Sequence, residues 1–203
     1  INRRIVDHTS DVNMTLTEHA RRYLLAEGLP PELVFKTGSS MKEVFAHYRG
    51  DIERSSVLAR LELEPRRYMV VSAHREENID DEDNFSDLIA SLNHLGEAHQ
   101  MPLVFSAHPR TLKRIEERGL AMDRHVRIMK PLGFFDYNQL QLSAYCVVSD
   151  SGTIFEESSI LGFPAVTIRN AHERPEGVDA GTLVMTGLKK ELMDHAIRVV
   201  AGD

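Results

Sequence analysis

Short apolar runs alternate with helical patterns along most of this 203-residue chain. Runs rich in β-branched and aromatic residues predict eight strands, at 12–16, 33–36, 68–72, 103–106, 126–129, 145–148, 165–168 and 182–185. Apolar residues at helical spacing predict helices, at 17–28, from Asn84 as the cap to Leu92, and at 111–118, 135–144, 153–161 and 188–200. Because strands that alternate with helices form parallel sheets covered on both faces, the sequence predicts an α/β fold of that kind.

Composition limits the partners of the chain. It carries 24 Lys and Arg against 31 Asp and Glu, a formal net charge of −7. Binding along a nucleic-acid backbone needs clustered basic residues, so we predict no nucleic-acid partner and only local phosphate binding. No apolar run approaches the length of a membrane span and no signal-peptide pattern opens the chain, so we expect a soluble, cytoplasmic protein with no membrane contact.

The most informative turn follows the sixth predicted strand and contains Ser151 and Gly152. A small-residue turn at a helix N-terminus presents backbone N–H groups and the positive end of the helix dipole, which favour phosphate. One turn into the helix, Glu157 can accept hydrogen bonds from the vicinal hydroxyls of a ribose. Thr153 and Glu156 fit a capping box, which makes Glu156 a helix-start residue rather than a ligand. The pattern indicates a nucleotide, with an ordinary Ser-Gly turn as the alternative.

Polar residues follow five of the predicted strands, in the segments 73–78, 107–110, 130–134, 150–152 and 169–177. The carboxyl ends of parallel strands meet at one edge of the sheet, where ligands of such folds bind, so we expect these segments to converge. Among them are the basic side chains of His74, Arg75, His108 and Arg174. The alternative interpretation of any single segment is a solvent-exposed loop without a role in binding.

Other chemistries lack their motifs in this chain. Neither His74 nor His108 belongs to a helical His-x-x-x-His pair or a Cys/His framework, so no metal site is predicted. No G-x-S-x-G elbow surrounds Ser151, which weakens a serine hydrolase. The glycine-rich motifs of dinucleotide and Walker sites do not occur. The sequence therefore favours a phosphate site formed by a turn, an arginine and a histidine.

Four motifs occur in a fixed order along the chain. They are Ala-His-Arg-Glu-Glu-Asn at 73–78, His-Pro at 108–109, Asp-Ser-Gly-Thr-Ile-Phe-Glu-Glu at 150–157 with Gly-Phe-Pro at 162–164, and His-Glu-Arg-Pro-Glu-Gly at 172–177 with Ala-Gly-Thr at 180–182. Together they resemble the non-hydrolysing UDP-N-acetylglucosamine 2-epimerase family. The resemblance implies a Rossmann-like, UDP-binding domain over residues 1–203, the carboxyl-terminal half of a GT-B fold. The amino-terminal catalytic half and a final helix are expected to lie outside this chain.

The resemblance also implies a reaction and its ligands. The family inverts C2 of a UDP-N-acetylhexosamine by eliminating UDP to a glycal and adding it back, for precursors of surface polysaccharide. UDP and the UDP-N-acetylhexosamine are therefore the expected partners, no cofactor is expected, and the full-length parent is expected to be a homodimer. Because the C2 base is expected from the other half, the 203 residues should bind UDP without catalysing epimerisation.

Each candidate site residue takes a role from the same resemblance. His74 is the catalytic candidate, beside the reacting sugar and the leaving phosphate, and Glu157 holds the ribose hydroxyls. Tyr137 would stack on uracil where the family commonly has Phe, with core packing as the alternative. The other UDP-binding candidates are Arg75, His108, Ser151, Gly152 and Arg174, of which Ser151, Gly152 and Arg174 are assigned to the diphosphate.

Three alternatives to the parent epimerase stay open. The segments 38–41, 75–78 and 169–175 are similar to the branch that converts UDP-6-deoxy-N-acetyl-L-talosamine to UDP-N-acetyl-L-fucosamine. A GT-B glycosyltransferase also begins the pattern E-x-x-x-x-G-x-P, found here at 157–164, with a ribose-binding Glu. The segment 172–177 favours the epimerase over the transferase. A nucleotide-sugar sensor without activity is the third alternative.

Overall fold

The computed structural model describes residues 2–169 and 183–202. The chain divides into two compact units, Ile1–Val44 and Phe45–Asp203. No helix among the described residues is both long and apolar enough to cross a bilayer.

The smaller unit is built around two parallel strands. Its elements are α1 (Asn2–Thr9), β1 (Asn13–Thr15), α2 (Glu18–Ala26), β2 (Val34–Lys36) and the start of α3 (Met41–Glu53). Thr17, the residue at which the sequence predicts the helix to start, is the N-cap of α2, and its side chain accepts a hydrogen bond from the N–H of Ala20 at 3.1 Å. Leu24, Leu29 and Val34 form a small buried core.

The larger unit contains a parallel sheet of six strands in the order β5-β4-β3-β6-β7-β8. Its elements are α4 (Val57–Arg60), β3 (Met69–Ala73), α5 (Glu76–Ile79), α6 (Glu82–His99), β4 (Leu103–Ala107), α7 (Pro109–Glu117), β5 (Val126–Met129), α8 (Phe134–Ser143), β6 (Cys146–Ser149), α9 (Ile154–Leu161), β7 (Ala165–Thr167), β8 (Val184–Met185) and α10 (Lys190–Ala201). Each predicted strand overlaps an observed one, so the prediction of a parallel α/β sheet is confirmed.

Helices cover both faces of this sheet. Val71 and Phe105 point to one face, where they pack with apolar residues of α6 and α10. Val70 and Val104, their neighbours along the strands, pack on the other face with residues of α8 and α9. The central strands are thus buried on both sides. Because both faces are covered, nearly every residue of these strands is apolar.

The strand order reverses between β3 and β6. From β3 the chain proceeds outward to β4 and β5, and β6 then returns to pair with the other side of β3, as Val71 does with both Phe105 and Val148. In doubly wound sheets of this kind a crevice opens at the carboxyl ends of the two strands where the order changes. The fold therefore places the loops after β3 and β6 next to each other.

Two predicted helix starts are wrong. Asp81, rather than Asn84, caps α6, because its carboxylate accepts a hydrogen bond from the N–H of Asn84 at 2.8 Å. The side chain of Asn84 donates instead to the carbonyl of Glu77. Helix α7 begins two residues earlier than predicted, at Pro109, because proline suits the first helical position and His108 serves as the cap.

Two helix ends provide a matched test of backbone strain. Gln100 ends α6 with φ 53°, and Gly162 ends α9 with φ 77°. Only glycine adopts this left-handed conformation without a steric cost of about 1–2 kcal/mol. We expect Gln100→Gly to raise the free energy of unfolding by about 0.5–1 kcal/mol and Gly162→Ala to lower it by about 1 kcal/mol in urea denaturation. A lower stability for Gln100→Gly would contradict this account.

Candidate functional site

A cavity of about 210 Å³ opens at the carboxyl ends of the central strands. Its lining residues are Ser72, His74, Ser106, Pro131, Leu132, Tyr137, Ser151 and Glu157. They come from the ends of β3 to β6 and from α8 and α9. Three of the five segments expected to converge, 73–78, 130–134 and 150–152, line the cavity, whereas 107–110 does not and 170–177 lies outside the described residues. Four candidate site residues, His74, Tyr137, Ser151 and Glu157, line it together.

Hydroxyl groups shape the turn between β6 and α9. Ser149 Oγ accepts a hydrogen bond from the N–H of Ser151 at 3.0 Å. Ser151 Oγ accepts one from the N–H of Thr153 at 3.3 Å and lies 2.9 Å from Thr153 Oγ1. These bonds hold the turn in place and set Gly152 in front of the helix N-terminus.

The predicted capping box at this helix is wrong. Thr153 is the N-cap residue of α9, but its side chain makes no capping hydrogen bond. Thr153 Oγ1 donates instead to Glu157 Oε1 at 2.7 Å, because its α-region backbone directs the hydroxyl along the helix. The threonine thus supports the residue one turn further on, rather than pairing with Glu156.

Two donors hold the carboxylate of Glu157 at the cavity wall. Thr153 binds one of its oxygens, and Gln141 Nε2 on α8 donates to the other at 2.9 Å. A carboxylate has about four lone-pair positions, so acceptor capacity remains for a ligand. Glu157 is therefore an acceptor of fixed orientation. Gln141 is a supporting residue that sequence analysis missed, because its partner lies on a different helix.

Asp150 is a buried anchor at the end of β6. Its Oδ2 accepts hydrogen bonds from the N–H groups of His74 and Arg75, both at 2.9 Å, and from Asn78 Nδ2 at 3.1 Å. Burial alone would raise the pKa of Asp150, but these hydrogen bonds and the nearby His74 outweigh it and lower the pKa. The acidic residue is thus held ionised beneath the cavity.

The side chain of His74 pairs with the same carboxylate. Nδ1 of His74 lies 2.9 Å from Oδ1 of Asp150. Hydrogen bonding to Asp150 raises the pKa of His74, while partial burial and the charge of Arg75 act in the opposite direction. The contact through Nδ1 orients the imidazole, and the ring retains its proton to higher pH than a free histidine does.

Two guanidinium groups approach Gly152 from different strands. A Cβ atom at Gly152 would lie 3.8 Å from Nη2 of Arg75 and 3.9 Å from Nη1 of Arg169. The Nε of Arg75 donates to the carbonyl of Asp150 at 2.9 Å, which fixes that arginine. Arg169 was not selected from the sequence. Its position directly after a predicted strand is the sequence feature that could have identified it as a candidate site residue.

Tyr137 lies between the cavity and the core. It lines the cavity from α8 and also packs against the core cluster on that face of the sheet. Burial raises the pKa of its hydroxyl to about 12, with a hydrogen bond to Ser72 acting against it. The ring is therefore neutral and partly fixed, with some of its surface available to a ligand.

Two other candidates differ in what the structure describes of them. His108 is exposed at the start of α7, where its Nδ1 accepts a hydrogen bond from the N–H of Arg110 at 3.3 Å, and it does not line the cavity. Arg174 lies outside the described residues. Within residues 2–169 and 183–202, no group of three His, Cys, Asp or Glu side chains is arranged to hold a metal ion.

A doubly wound parallel sheet with these groups at its switch point is typical of nucleotide-binding α/β domains. The family model described as UDP-N-acetylglucosamine 2-epimerase matches residues 1–203, and the chain belongs to this family. The predicted family is thereby confirmed.

Individual relatives agree with this assignment. The UDP-N-acetylglucosamine 2-epimerase of Methanocaldococcus jannaschii is 28% identical over 207 residues, which cover 98% of this chain and 57% of that protein. A structure of the Rickettsia bellii UDP-N-acetylglucosamine 2-epimerase is 48% identical, with a TM-score of 0.90 over 100% of this chain and 54% of that one. The M. jannaschii enzyme in complex with UDP-GlcNAc and UDP has a TM-score of 0.89, 28% identity, and coverage of 100% and 57%.

These matches confirm the fold class. The structural relatives have a GT-B fold, and the sheet described above is its Rossmann-like half. The chain spans a little over half the length of these relatives.

The pairing of Asp150 with His74 predicts a change in titration. We expect Asp150→Asn to lower the pKa of His74, because the burial and the Arg75 charge that remain both oppose protonation. In the wild type, the pKa of His74 is higher in the folded protein than the value of about 6.5 expected in the unfolded chain. Protonation of His74 therefore contributes its full stabilisation below about pH 6.5, and this contribution is lost as the pH rises through the pKa of the folded protein. NMR titration of the imidazole measures the shift.

Asp123→Asn is the matched control for that titration. It removes a carboxylate 2.7 Å from Nδ1 of a different histidine, His125, and should leave the pKa of His74 unchanged. An unchanged pKa of His74 in Asp150→Asn, with the fold intact by circular dichroism, would contradict the pairing.

Proposed function

We propose that the protein to which this chain belongs is a non-hydrolysing UDP-N-acetylglucosamine 2-epimerase, and that residues 1–203 form its UDP-binding domain. The observation that carries the proposal is the oriented carboxylate of Glu157 in the same cavity as Ser151 and His74. The ligands of the M. jannaschii relative, UDP-GlcNAc and UDP, support the same ligand class. The parent is proposed to be a cytoplasmic homodimer that makes precursors of surface polysaccharide and needs no cofactor.

The nucleoside is proposed to bind between Glu157 and Tyr137. Thr153 and Gln141 use part of the acceptor capacity of Glu157, and the two ribose hydroxyls use the rest. The ring of Tyr137 offers its face to uracil, while Leu132 adds apolar surface to the same wall. Carboxylate and aromatic ring together account for a sugar and a base.

The diphosphate is proposed to lie at the turn of Ser151 and Gly152. The N-terminus of α9 contributes the positive end of its dipole, and Arg75 contributes a full positive charge near Gly152. Arg174, in the motif shared with the family, is proposed to add a second contact to the diphosphate. A substituent on Gly152 would occupy space that the phosphate oxygens need.

The proposed reaction proceeds by elimination and re-addition. A base removes the proton from C2, the released electron pair forms the C1–C2 double bond, and the C1–O bond breaks to expel UDP. A proton then reaches the opposite face of C2 as UDP adds back at C1. Negative charge develops on the β-phosphate during expulsion, so protonated His74 beside it would lower the barrier. Asp150 supports this role by retaining the proton on His74.

The C2 base is proposed to lie outside these 203 residues. Among the described lining residues of the cavity, Glu157 is the only carboxylate, and it is assigned to ribose. Asp150 is fully buried, and its Oδ2 already accepts three hydrogen bonds. Neither carboxylate is available to C2, so the base is proposed to come from another part of the parent protein.

A second substrate has some support from the sequence. The segment 75–78, Arg-Glu-Glu-Asn, favours UDP-6-deoxy-N-acetyl-L-talosamine, whose C2 epimer is UDP-N-acetyl-L-fucosamine. Both substrates carry the same UDP moiety and undergo the same inversion. A glycosyltransferase would instead pass the sugar to an acceptor and leave the hydrogen at C2 in place.

The role of Glu157 predicts a ligand-specific loss of affinity. We expect Glu157→Ala to weaken UDP binding by about 2 kcal/mol, roughly 30-fold, because hydrogen bonds to a charged acceptor are lost. The loss should disappear for 2′,3′-dideoxy-UDP, which lacks the hydroxyls. Calorimetry of UDP and 2′,3′-dideoxy-UDP, each with the wild type and with Glu157→Ala, gives the four affinities of a double-mutant cycle and hence the coupling between the carboxylate and the hydroxyls. Glu64→Ala, which removes an exposed carboxylate distant in sequence from the turn, is the control. An equal loss for both ligands would exclude the ribose assignment.

The location of the base predicts a difference in proton exchange. In deuterated water, we expect the full-length parent to introduce deuterium at C2 of UDP-N-acetylglucosamine or of UDP-6-deoxy-N-acetyl-L-talosamine. The 203 residues alone should bind UDP and introduce none, since loss of a general base costs roughly 10²–10⁴ in rate and the positioning of C2 is lost too. NMR of the recovered sugar measures the exchange. Sugar transfer without exchange in the parent would favour a glycosyltransferase, and exchange by the 203 residues would place the base within them.

A further inference from the structure

Arg169 is a buried cation without a described counter-charge. It follows β7 directly and is 5% exposed. Its Nε has no hydrogen-bond partner among the described residues, and no carboxylate of that part of the chain forms an ion pair with it. An arginine remains charged at any physiological pH, so burial without an anion is costly. The position of Arg169 is therefore best explained by an anion that is bound during function.

The guanidinium of Arg169 points toward a specific place. Its Nη1 lies 3.9 Å from the position of a Cβ on Gly152, and Nη2 of Arg75 lies 3.8 Å from the same point. The two arginines come from the ends of β7 and β3, and α9 begins just beyond the glycine. Two guanidinium groups and a helix N-terminus thus converge on one small volume, where like charges repel unless an anion lies between them.

The two acidic side chains described at the cavity have partners other than Arg169, and Oδ1 of Asp150 lies 2.9 Å from Nδ1 of His74. The Oδ2 of Asp150 accepts hydrogen bonds from His74, Arg75 and Asn78, and only the backbone carbonyl of Asp150 contacts the guanidinium of Arg75. Glu157 is held by Thr153 and Gln141. Within residues 2–169 and 183–202, no carboxylate forms an ion pair with Arg169, so a bound anion would supply the charge that this part of the chain does not.

We propose that Arg169 binds the diphosphate of the nucleotide sugar together with Arg75, in front of Gly152. This inference rests on the proposed function and adds a residue to its diphosphate site. A guanidinium presents paired N–H donors that match phosphate oxygens. Arg169 is the buried member of the pair and Arg75 the more exposed one, so solvent screens the contact of Arg169 less. Gly152 leaves the space beside both guanidinium groups open, and a side chain at this position would occupy part of it.

Arg169→Met separates ligand binding from a structural role. Methionine has similar length and suits a buried position, so removal of an unpaired buried charge should leave the thermal stability of the free protein unchanged or higher. We expect UDP affinity to fall by about 10- to 100-fold, because charge-assisted hydrogen bonds are lost. Uridine, which has no phosphate, should bind within about twofold of the wild type. Arg169→Lys retains the charge and should recover part of the UDP affinity.

Calorimetry of the full-length protein with UDP and uridine, together with thermal denaturation, provides these readouts. Arg49→Met, at an exposed arginine paired with Glu53 on α3, is the control and should change neither affinity. Unchanged UDP affinity in Arg169→Met, or a parallel loss of uridine affinity and stability, would overturn the inference and leave the proposed function intact. Failure of the wild type to bind either ligand would overturn both.

Discussion

The buried carboxylate of Asp150 connects the two strands on which the site depends. It lies at the end of β6 and accepts hydrogen bonds from backbone and side-chain groups that follow β3. Since β3 and β6 are the neighbours at which the strand order reverses, these bonds hold both sides of the crevice in one geometry. The same carboxylate orients His74 and raises its pKa. One side chain, that of Asp150, thus both joins the two strands and sets the protonation of His74.

Positive charge is concentrated locally in a chain that is acidic overall. The formal net charge is −7, yet Arg75, Arg169, His74 and the N-terminus of α9 all lie at the turn that contains Gly152. A small, multiply charged anion fits within this positive region, whereas an extended polyanion would also meet the acidic surface. Net charge therefore limits the size of the anionic partner, and the arrangement of a few side chains determines where it binds.

The dimensions of the cavity agree with a site that holds part of a larger ligand. Its volume of about 210 Å³ is below the range of roughly 300–1,000 Å³ for complete small-molecule sites. Its groups suit a base, a ribose and phosphates. In the proposed reaction the sugar and the C2 base meet elsewhere in the parent, which is consistent with a chain that spans a little over half the length of its relatives. In that reaction, the contacts of this cavity keep UDP bound while groups elsewhere in the parent invert C2 of the sugar.

The sequence by itself determined the strands, the parallel sheet, the turn before α9 and the family, because apolar periodicity, turn residues and motif order are local properties of a chain. Only the tertiary structure decided which side chains meet. Thr153 supports Glu157 instead of capping its helix, Asp150 connects two strands, and Arg169 is buried without a described anion beside Gly152. Each of these contacts joins a side chain to partners set by helix geometry or by strand order, so its energy depends on distances that residue spacing alone does not contain.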